Sequence, residues 1–398
     1  MRTDLEALAD LAVTLGANVQ RGQILTVGAS LGQEPLARAI AASAYRRGAS
    51  FVDVAYFDPH VKRARILHAP DETLELVPSW YRERILAVGR ERAARISLTG
   101  PADPGVLDGL DPVRAGRDQL PFVGELLTVL HEHTTNWSVV PCPSAGWAEL
   151  VFGGLEPEER LPELWRQIAH VCRLDEPDPA AAWAERLETL KAIAGRLNAR
   201  RLDAVRFEGP GTDLELGLLP TSTWLTAEDQ TVDGIVHLSN LPTEEIYCTP
   251  DPQRADGHVR STRPLVLGDG TIIRGLRVRF EAGRAVEIDA DEGGGVLRGR
   301  AQLDEGASRL GEVALVDRDG RIGRLGTVFY DTLLDENATS HIALGAGDDD
   351  GLSAEDAARR NHSSIHVDVM VGGEEVDVTG VTRDGEEVPI LRGGRWQL

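Results

Sequence analysis

The sequence is poor in cysteine, in lysine and in positive charge. Its 398 residues include three cysteines, too few and too scattered for a disulfide framework or a cysteine-based zinc site. Lysine occurs only at Lys62 and Lys191, and 42 Lys plus Arg stand against 64 Asp plus Glu, a formal net charge of −22. A chain this acidic, with no basic run, would be repelled by nucleic-acid phosphates and by anionic lipid. We therefore expect neither a nucleic-acid nor a membrane partner.

Targeting signals are also lacking. The first ten residues contain Asp4, Glu6 and Asp10 rather than the basic region of a secretory leader, and no apolar run approaches the length that crosses a membrane. These features predict a cytoplasmic protein.

The first 200 residues alternate strand-like and helix-like segments. Phe51–Phe57 is rich in strand formers, and we interpret Glu72–Arg92 as a helix. Strands that alternate with helices indicate a mainly parallel sheet covered on both faces. We predict an α/β domain over residues 1–200.

The pattern changes after Arg200. Glycine and aspartate become frequent, long helices nearly vanish, and short alternating segments such as Thr212–Leu218 are separated by turn signals such as Asp319-Gly320. We predict that residues 201–398 form an α+β domain with a largely antiparallel sheet that carries a metal site.

The metal prediction begins with His366-Val367-Asp368, in the strand-like segment 364–372. Residues i and i+2 of a strand share a face, so His366 and Asp368 would point together. An imidazole beside a carboxylate is half of a divalent-metal site, although such a pair can also be a hydrogen-bonded core pair.

Three further segments strengthen this prediction. His341 ends a polar run just before an apolar stretch, and Glu312 shares a strand face with Ala314 and Val316. On that apolar face we expect Glu312 to be buried, which is costly for a carboxylate unless it is paired or coordinated. Glu245 is the second of two acids that precede a β-branched residue and an aromatic one.

Other polar clusters have simpler interpretations. His131 and His133 are more typical of a polar helix end than of metal ligands, and residues 348–351 are typical of a solvated turn.

The second half of the chain resembles the thermophilic-type metallo-aminopeptidases, the aminopeptidase T, aminopeptidase S and PepS group. The segments that carry the resemblance are NLPTEEIYCTPD (240–251), LGEVALV (310–316), FYDTLLDENATSHIALG (329–345), NHSSIHVDVMVGG (361–373) and RGGRW (392–396).

The resemblance implies two divalent metal ions (zinc, cobalt or manganese) that activate a water for attack on a peptide bond. It implies the metal ligands Glu245, Glu312, His341, His366 and Asp368, and Glu312 is our candidate for carrying a proton to the leaving amine. It also implies a homodimer.

One position departs from the family pattern. Where the family has an active-site tyrosine, seven residues after the ligand His341, this chain has Asp348, and no tyrosine follows Tyr330. An ionised carboxylate cannot donate a hydrogen bond to an oxyanion. We take Asp348 as a candidate catalytic residue that binds a metal or the ammonium group of a substrate.

The function predicted from the sequence is a two-metal aminopeptidase, or a related amide hydrolase, that acts on small peptides. Two alternatives stay open at this point. One is a mononuclear-iron ring-cleaving dioxygenase that uses His341, His366 and Asp368 as a two-histidine, one-carboxylate set, and the other is a metal-binding relative altered in catalysis at Asp348.

Overall fold

The computed structural model describes residues 4–118, 120–121, 123–267 and 270–398. Four parallel strands lie in the first half, in the spatial order β2-β1-β3-β4. They are β1 (Ile24–Ser30), β2 (Phe51–Phe57), β3 (Ala94–Thr99) and β4 (Trp137–Pro141).

Helices connect and cover these strands, as parallel pairing requires. They are α1 (Asp4–Leu11), α2 (Glu34–Arg47), α3 (Pro59–His68), α4 (Ser79–Arg90), α5 (Pro112–Arg117), α6 (Gly124–His131), α7 (Ala145–Phe152), α8 (Pro157–Val171) and α9 (Pro179–Arg200). A π-helical turn over Ala12–Gly16 follows α1, and a 3₁₀ turn spans Asp71–Thr73.

The predicted helix over Glu72–Arg92 is only partly correct. Its first turn is the 3₁₀ segment Asp71–Thr73, and the α-helix begins at Ser79, after Pro78 at the N-cap position. Proline disfavours helical geometry in the residue before it, so Val77 and Pro78 separate the two helical pieces.

The second half is built on antiparallel strands. An eight-stranded sheet has the order β14-β13-β10-β6-β5-β18-β19-β20. Its strands are β5 (Leu202–Gly209), β6 (Thr212–Leu218), β10 (Pro250–Arg260), β13 (Arg277–Glu281), β14 (Arg284–Asp289), β18 (Asp377–Thr382), β19 (Glu387–Arg392) and β20 (Arg395–Trp396).

A smaller sheet has the order β17-β16-β15-β9. Its strands are β9 (Glu245–Cys248), β15 (Leu310–Val316), β16 (His341–Gly345) and β17 (His366–Met370). The remaining elements are the hairpins β7 (Glu228–Gln230) with β8 (Val236–Leu238) and β11 (Leu265–Val266) with β12 (Ile272–Ile273), the helices α10 (Gly294–Arg300), α11 (Arg321–Leu325), α12 (Thr332–Glu336) and α13 (Ala354–Ala357), and a 3₁₀ turn at Gly306–Ser308.

The two antiparallel sheets pack face to face. Val313 and Leu315 of β15 share one buried core with Phe207 and Leu216 of the large sheet. Because successive residues of a strand point to opposite faces, the residues between these apolar ones on β15 face away from the large sheet. That outer face is the one that carries the candidate site.

The predicted parallel sheet in the first half and antiparallel sheet in the second are both confirmed. Helix α9 ends at Arg200 and β5 begins at Leu202, but Phe329 and Leu334 pack into the core of the first half. The division into domains 1–200 and 201–398 stays a prediction. In the part of the chain that the structure describes, no helix combines the length and apolarity that membrane crossing requires.

Candidate metal centre

The small sheet brings all five predicted ligands to one face. In its antiparallel register Glu245 lies opposite Val316, His341 opposite Ala314, and Asp368 opposite Ala343. Residues opposite each other share a face, as do residues two apart. The five side chains on the outer face are Glu245 (β9), Glu312 (β15), His341 (β16), and His366 and Asp368 (β17).

The donor atoms of this group lie close together. His341 Nε2 is 3.3 Å from Glu245 Oε2 and 3.4 Å from Glu312 Oε1. His366 Nε2 is 3.7 Å from Glu312 Oε2 and 3.3 Å from Asp368 Oδ1. The two oxygens of Glu312 thus face different imidazoles.

Both imidazoles are oriented by backbone carbonyls. His341 Nδ1 lies 3.1 Å from the carbonyl of Glu336 and 3.3 Å from that of Thr339, and His366 Nδ1 lies 3.0 Å from the carbonyl of Ala346. A carbonyl accepts only, so Nδ1 carries the proton and donates it. In the neutral ring Nε2 then presents a lone pair toward carboxylate oxygens, the arrangement typical of a histidine that ligates a metal.

A sixth donor, Glu336, was missed by the sequence analysis. Its carboxylate forms a group with His341 and Asp368 in which the donor atoms lie within 4.8 Å of one another. Glu312, His366 and Asp368 form a second group with donor atoms equally close. Asn240 Nδ2 lies 3.3 Å from Glu336 Oε1 and 3.4 Å from Glu245 Oε1, so one amide orients both acids. Glu336 lies at the end of α12, and no spacing rule relates that position to the face of the next strand.

Two adjacent acids at the start of β9 have opposite surroundings. Glu244 is buried against two arginines, with Oε1 3.0 Å from Arg173 and Oε2 2.7 Å from Arg186. Glu245 faces the site instead, and its buried Oε2 has no hydrogen-bond partner in the described structure. Glu244 therefore anchors the strand, and Glu245 points a carboxylate into the cluster.

Burial and mutual charge shift the pKa values of the group. Burial raises the pKa of Glu245 to about 7, against the attraction of His341. Burial, followed by the charges of Asp368 and Glu245, raises the pKa of Glu336 well above its usual range. Burial works to lower the histidine pKa values, but the neighbouring carboxylates raise them to about 9 for His341 and about 10 for His366. The cluster holds more negative charge than its histidines can balance.

The expected burial of Glu312 is only partly correct. Ala314 and Val316 are fully buried, whereas the side chain of Glu312 is 19% exposed. The reason is that Glu312 borders a cavity.

This cavity has a volume of about 460 Å³ and is walled by both halves of the chain. Leu126, Leu127 and Leu130 of α6 contribute apolar side chains to its lining, together with the candidate site on the small sheet. Tyr247 also lines it. Burial, with the charges of Asp348 and Asp350, raises the pKa of Tyr247 well above its usual range, so its phenol stays protonated.

Asp348 lies in the same cavity but in a second cluster. The carboxylates of Asp348 and Asp349 lie within 4.8 Å of a ring nitrogen of His133. His133 also lies 3.3 Å from Asp229 through Nδ1 and 3.3 Å from Asp350 through Nε2. Hydrogen bonding to Asp229 raises the pKa of His133 to about 9, so it is an imidazolium between two carboxylates at neutral pH.

This cluster corrects the interpretation of residues 348–351 as a solvated turn. Asp348, Asp349 and Asp350 are each half-buried, because His133 and Asp229 pack against them. His133 does lie near a helix end, two residues beyond the end of α6 with φ 48°, but it also belongs to two groups of side chains whose donor atoms are close enough to hold a metal ion.

The residues of the small sheet fit divalent cations. Metal–ligand bonds of about 2.0–2.2 Å to nitrogen and oxygen place neighbouring donors of one ion roughly 3–3.6 Å apart, close to the separations seen here. A cation would neutralise the crowded carboxylates and would bind Glu245 Oε2, which has no hydrogen-bond partner in the described structure. Mixed carboxylate and imidazole donors suit borderline divalent ions.

Comparison with known proteins agrees with this chemistry. The family model described as "Thermophilic metalloprotease (M29)" matches residues 1–396. Aminopeptidase T of Thermus thermophilus is 43% identical over 99% of this chain and 98% of its own length. Aminopeptidase AmpS of Bacillus subtilis is 36% identical, with 98% of each chain covered.

Two solved structures share the fold. Wild-type AmpT from Thermus thermophilus superposes with a TM-score of 0.85 at 42% identity, covering 99% of each chain. The 2,5-dihydroxypyridine dioxygenase of Pseudomonas putida KT2440 has a TM-score of 0.51 at 12% identity, covering 100% of this chain and 98% of its own. The second likeness is one of fold alone, whereas the family model and the close relatives show that this chain belongs to the thermophilic metalloprotease (M29) family.

Proposed function

We propose that this chain is a two-metal aminopeptidase that removes N-terminal residues from small peptides. One observation carries the proposal: four carboxylates and two imidazole Nε2 atoms converge on the wall of a cavity, with lone pairs facing lone pairs. Only cations, as protons or as metal ions, make that arrangement stable.

The ligands divide naturally into two sets. Glu336 and His341 lie on one side, and His366 on the other, while Asp368 belongs to both groups. Asp368 would help to hold both ions, and Glu312, which presents one oxygen to each imidazole, lies between the two sets. Glu245, beside His341, completes the first set. Four ionised carboxylates balance two dications.

When bound, the ions would supply Lewis acidity to a substrate carbonyl and lower the pKa of a water. The chain's own residues do the rest. Glu312, whose side chain is 19% exposed, is the proposed carrier of a proton to the leaving amine. Leu126 and Leu130 exclude water from the apolar side, and Asp348 accepts hydrogen bonds from the cationic amino terminus of the substrate.

The experiment uses the full chain, stripped with a chelator and reloaded with zinc, cobalt or manganese. Bound metal is counted, and turnover is measured on aminoacyl anilides with free and with acetylated amino termini. We expect two ions per chain and turnover of the free amines alone. Bound iron with oxygen consumption on dihydroxypyridines would support the dioxygenase instead, and a fully loaded protein with no turnover would overturn the proposed activity.

Two further expectations belong to this proposal. The homodimer is checked by sedimentation of the purified chain, and the cytoplasmic location by fractionation of the source cells. The role of Asp348 is checked by Asp348→Asn, which should raise KM for free amines by weakening the contact with their ammonium group.

A further inference from the structure

The strand that carries Glu245 presents a second functional group to the cavity, Tyr247. It lies two residues after Glu245 on β9 and opposite Ala314, so it shares the outer face with the proposed ligands. Ala314 separates it from Glu312 along β15 and also lies opposite His341. Because Ala314 has a small side chain, no bulky group at that position stands between Tyr247 and Glu312 on this face.

The Tyr247 hydroxyl is a donor that the protein does not use. In the described structure its backbone pairs with Leu225, but its hydroxyl makes no hydrogen bond, and that oxygen is not among the buried unpaired atoms. It therefore keeps accessible surface, and since Tyr247 lines the cavity, that surface faces the space a substrate would fill.

Three other donors in the cavity wall are already committed. Asn240 is directed at Glu245 and Glu336, the Ser239 hydroxyl donates to the Ala227 carbonyl and the Thr332 hydroxyl to the Val266 carbonyl. The charged groups around the phenol, including Glu312 and Asp348, are acceptors.

Amide hydrolysis creates negative charge on the carbonyl oxygen, and a neutral donor fixed beside that oxygen stabilises the transition state more than the substrate. We propose that Tyr247 donates a hydrogen bond to the carbonyl oxygen of the scissile amide as that charge develops. This inference rests on the proposed function. It also gives the site a phenol although position 348 is an aspartate.

The test is Tyr247→Phe, which keeps the ring and removes the donor. We expect kcat to fall about 100-fold, the loss typical of one oxyanion donor, with KM within twofold and the metal count unchanged. Tyr56→Phe, an exposed position on β2, serves as the matched control and should keep the wild-type kcat and KM.

A second measurement separates catalysis from folding. The inhibition constant of a phosphinic peptide, which mimics the tetrahedral transition state, should rise about as much as kcat/KM falls, while inhibition by the free amino-acid product stays within twofold. A loss of fold or metal would weaken both inhibitors together and contradict the proposal. An active wild-type enzyme with an equally active Tyr247→Phe variant would overturn the role of Tyr247 alone, whereas a metal-loaded wild type without turnover would overturn the proposed function itself.

Discussion

Buried carboxylates carry the electrostatic cost of this site, and Glu245 is one of them. Glu245 is 4% exposed, its Oε2 has no hydrogen-bond partner in the described structure, and burial raises its pKa to about 7. A carboxyl group whose pKa is higher in the folded than in the unfolded chain destabilises the fold increasingly as the pH rises from the unfolded value to the folded one. Above pH 7 the metal-free protein bears this cost in full.

We therefore expect Glu245→Gln to stabilise the metal-free protein. At pH 8 its free energy of unfolding should rise by on the order of 1 to 3 kcal/mol, and near pH 4 it should be unchanged. The added stability from zinc should fall, because one proposed ligand is lost. Urea denaturation, with chelator and with zinc, measures both effects.

The control for this prediction is Glu72→Gln, which changes an exposed acid. It should leave unaltered both the free energy of unfolding of the metal-free protein and the stability added by zinc. A metal-free Glu245→Gln protein that is less stable than wild type at pH 8 would show that the carboxylate is favourably paired without metal.

Predictions for single residues were correct where they depended on the alternation of side chains between the two faces of a strand. His366 and Asp368 were predicted to share a face from their spacing alone, and their donor atoms lie 3.3 Å apart. The choice of Glu245 over Glu244, in contrast, came from the family resemblance, because adjacent acids in a sequence do not reveal which one meets arginines. Glu336 was missed since its position depends on how α12 packs, which is a tertiary contact.

At the scale of elements, strands were easier to predict than helix boundaries. Phe51–Phe57 and Thr212–Leu218 are strands over the predicted residues, because both are bounded by turn residues. The prediction of a helix over Glu72–Arg92 was wrong at its start. The apolar periodicity continues through Val77-Pro78, but the backbone geometry at proline does not allow a helix to continue there.

The most constrained element of the site is the short strand β9. Glu244 joins it to Arg173, just after α8, and to Arg186 of α9. Breaking a buried ion pair by removing one partner leaves an uncompensated charge, which is far more costly than losing a surface pair. The same ion pairs fix the backbone from which Glu245 points.

We expect Arg186→Met to lower the free energy of unfolding by about 2 to 4 kcal/mol, somewhat less than the roughly 3 to 5 kcal/mol of a fully broken buried pair, because Arg173 still pairs with Glu244. The variant should weaken zinc binding as well. Arg206→Met, which removes the more exposed pairs with Glu215 and Glu387, should cost less than about 1 kcal/mol and leave zinc binding unchanged. Chemical denaturation and zinc titration compare the two variants. Equal losses of stability would mean that Glu244 does not anchor β9.

At the scale of the whole molecule, the site joins the two halves of the chain. The sequence predicted a parallel sheet followed by an antiparallel one, but it gave no sign of a cavity between α6 and the small sheet, since contacts between distant segments follow no local periodicity. The halves also interlock elsewhere: Trp147 Nε1 donates to the Phe329 carbonyl, and Phe329 and Leu334 pack in the core of the first half.

This interlocking predicts that metal binding stabilises the first half as well as the site. Zinc at about 1,000 times its dissociation constant should raise the free energy of unfolding by about 4 kcal/mol. Hydrogen exchange resolved by peptide should show that increase in β1, which lies in the first-half core, as well as in β15. The Glu245→Gln protein at the same zinc concentration is the control, with a smaller rise in both strands. Increased protection confined to β9, β15, β16 and β17 would contradict the prediction. It would mean that the two halves open independently, so that the cavity wall formed by α6 is not held in place by the metal site.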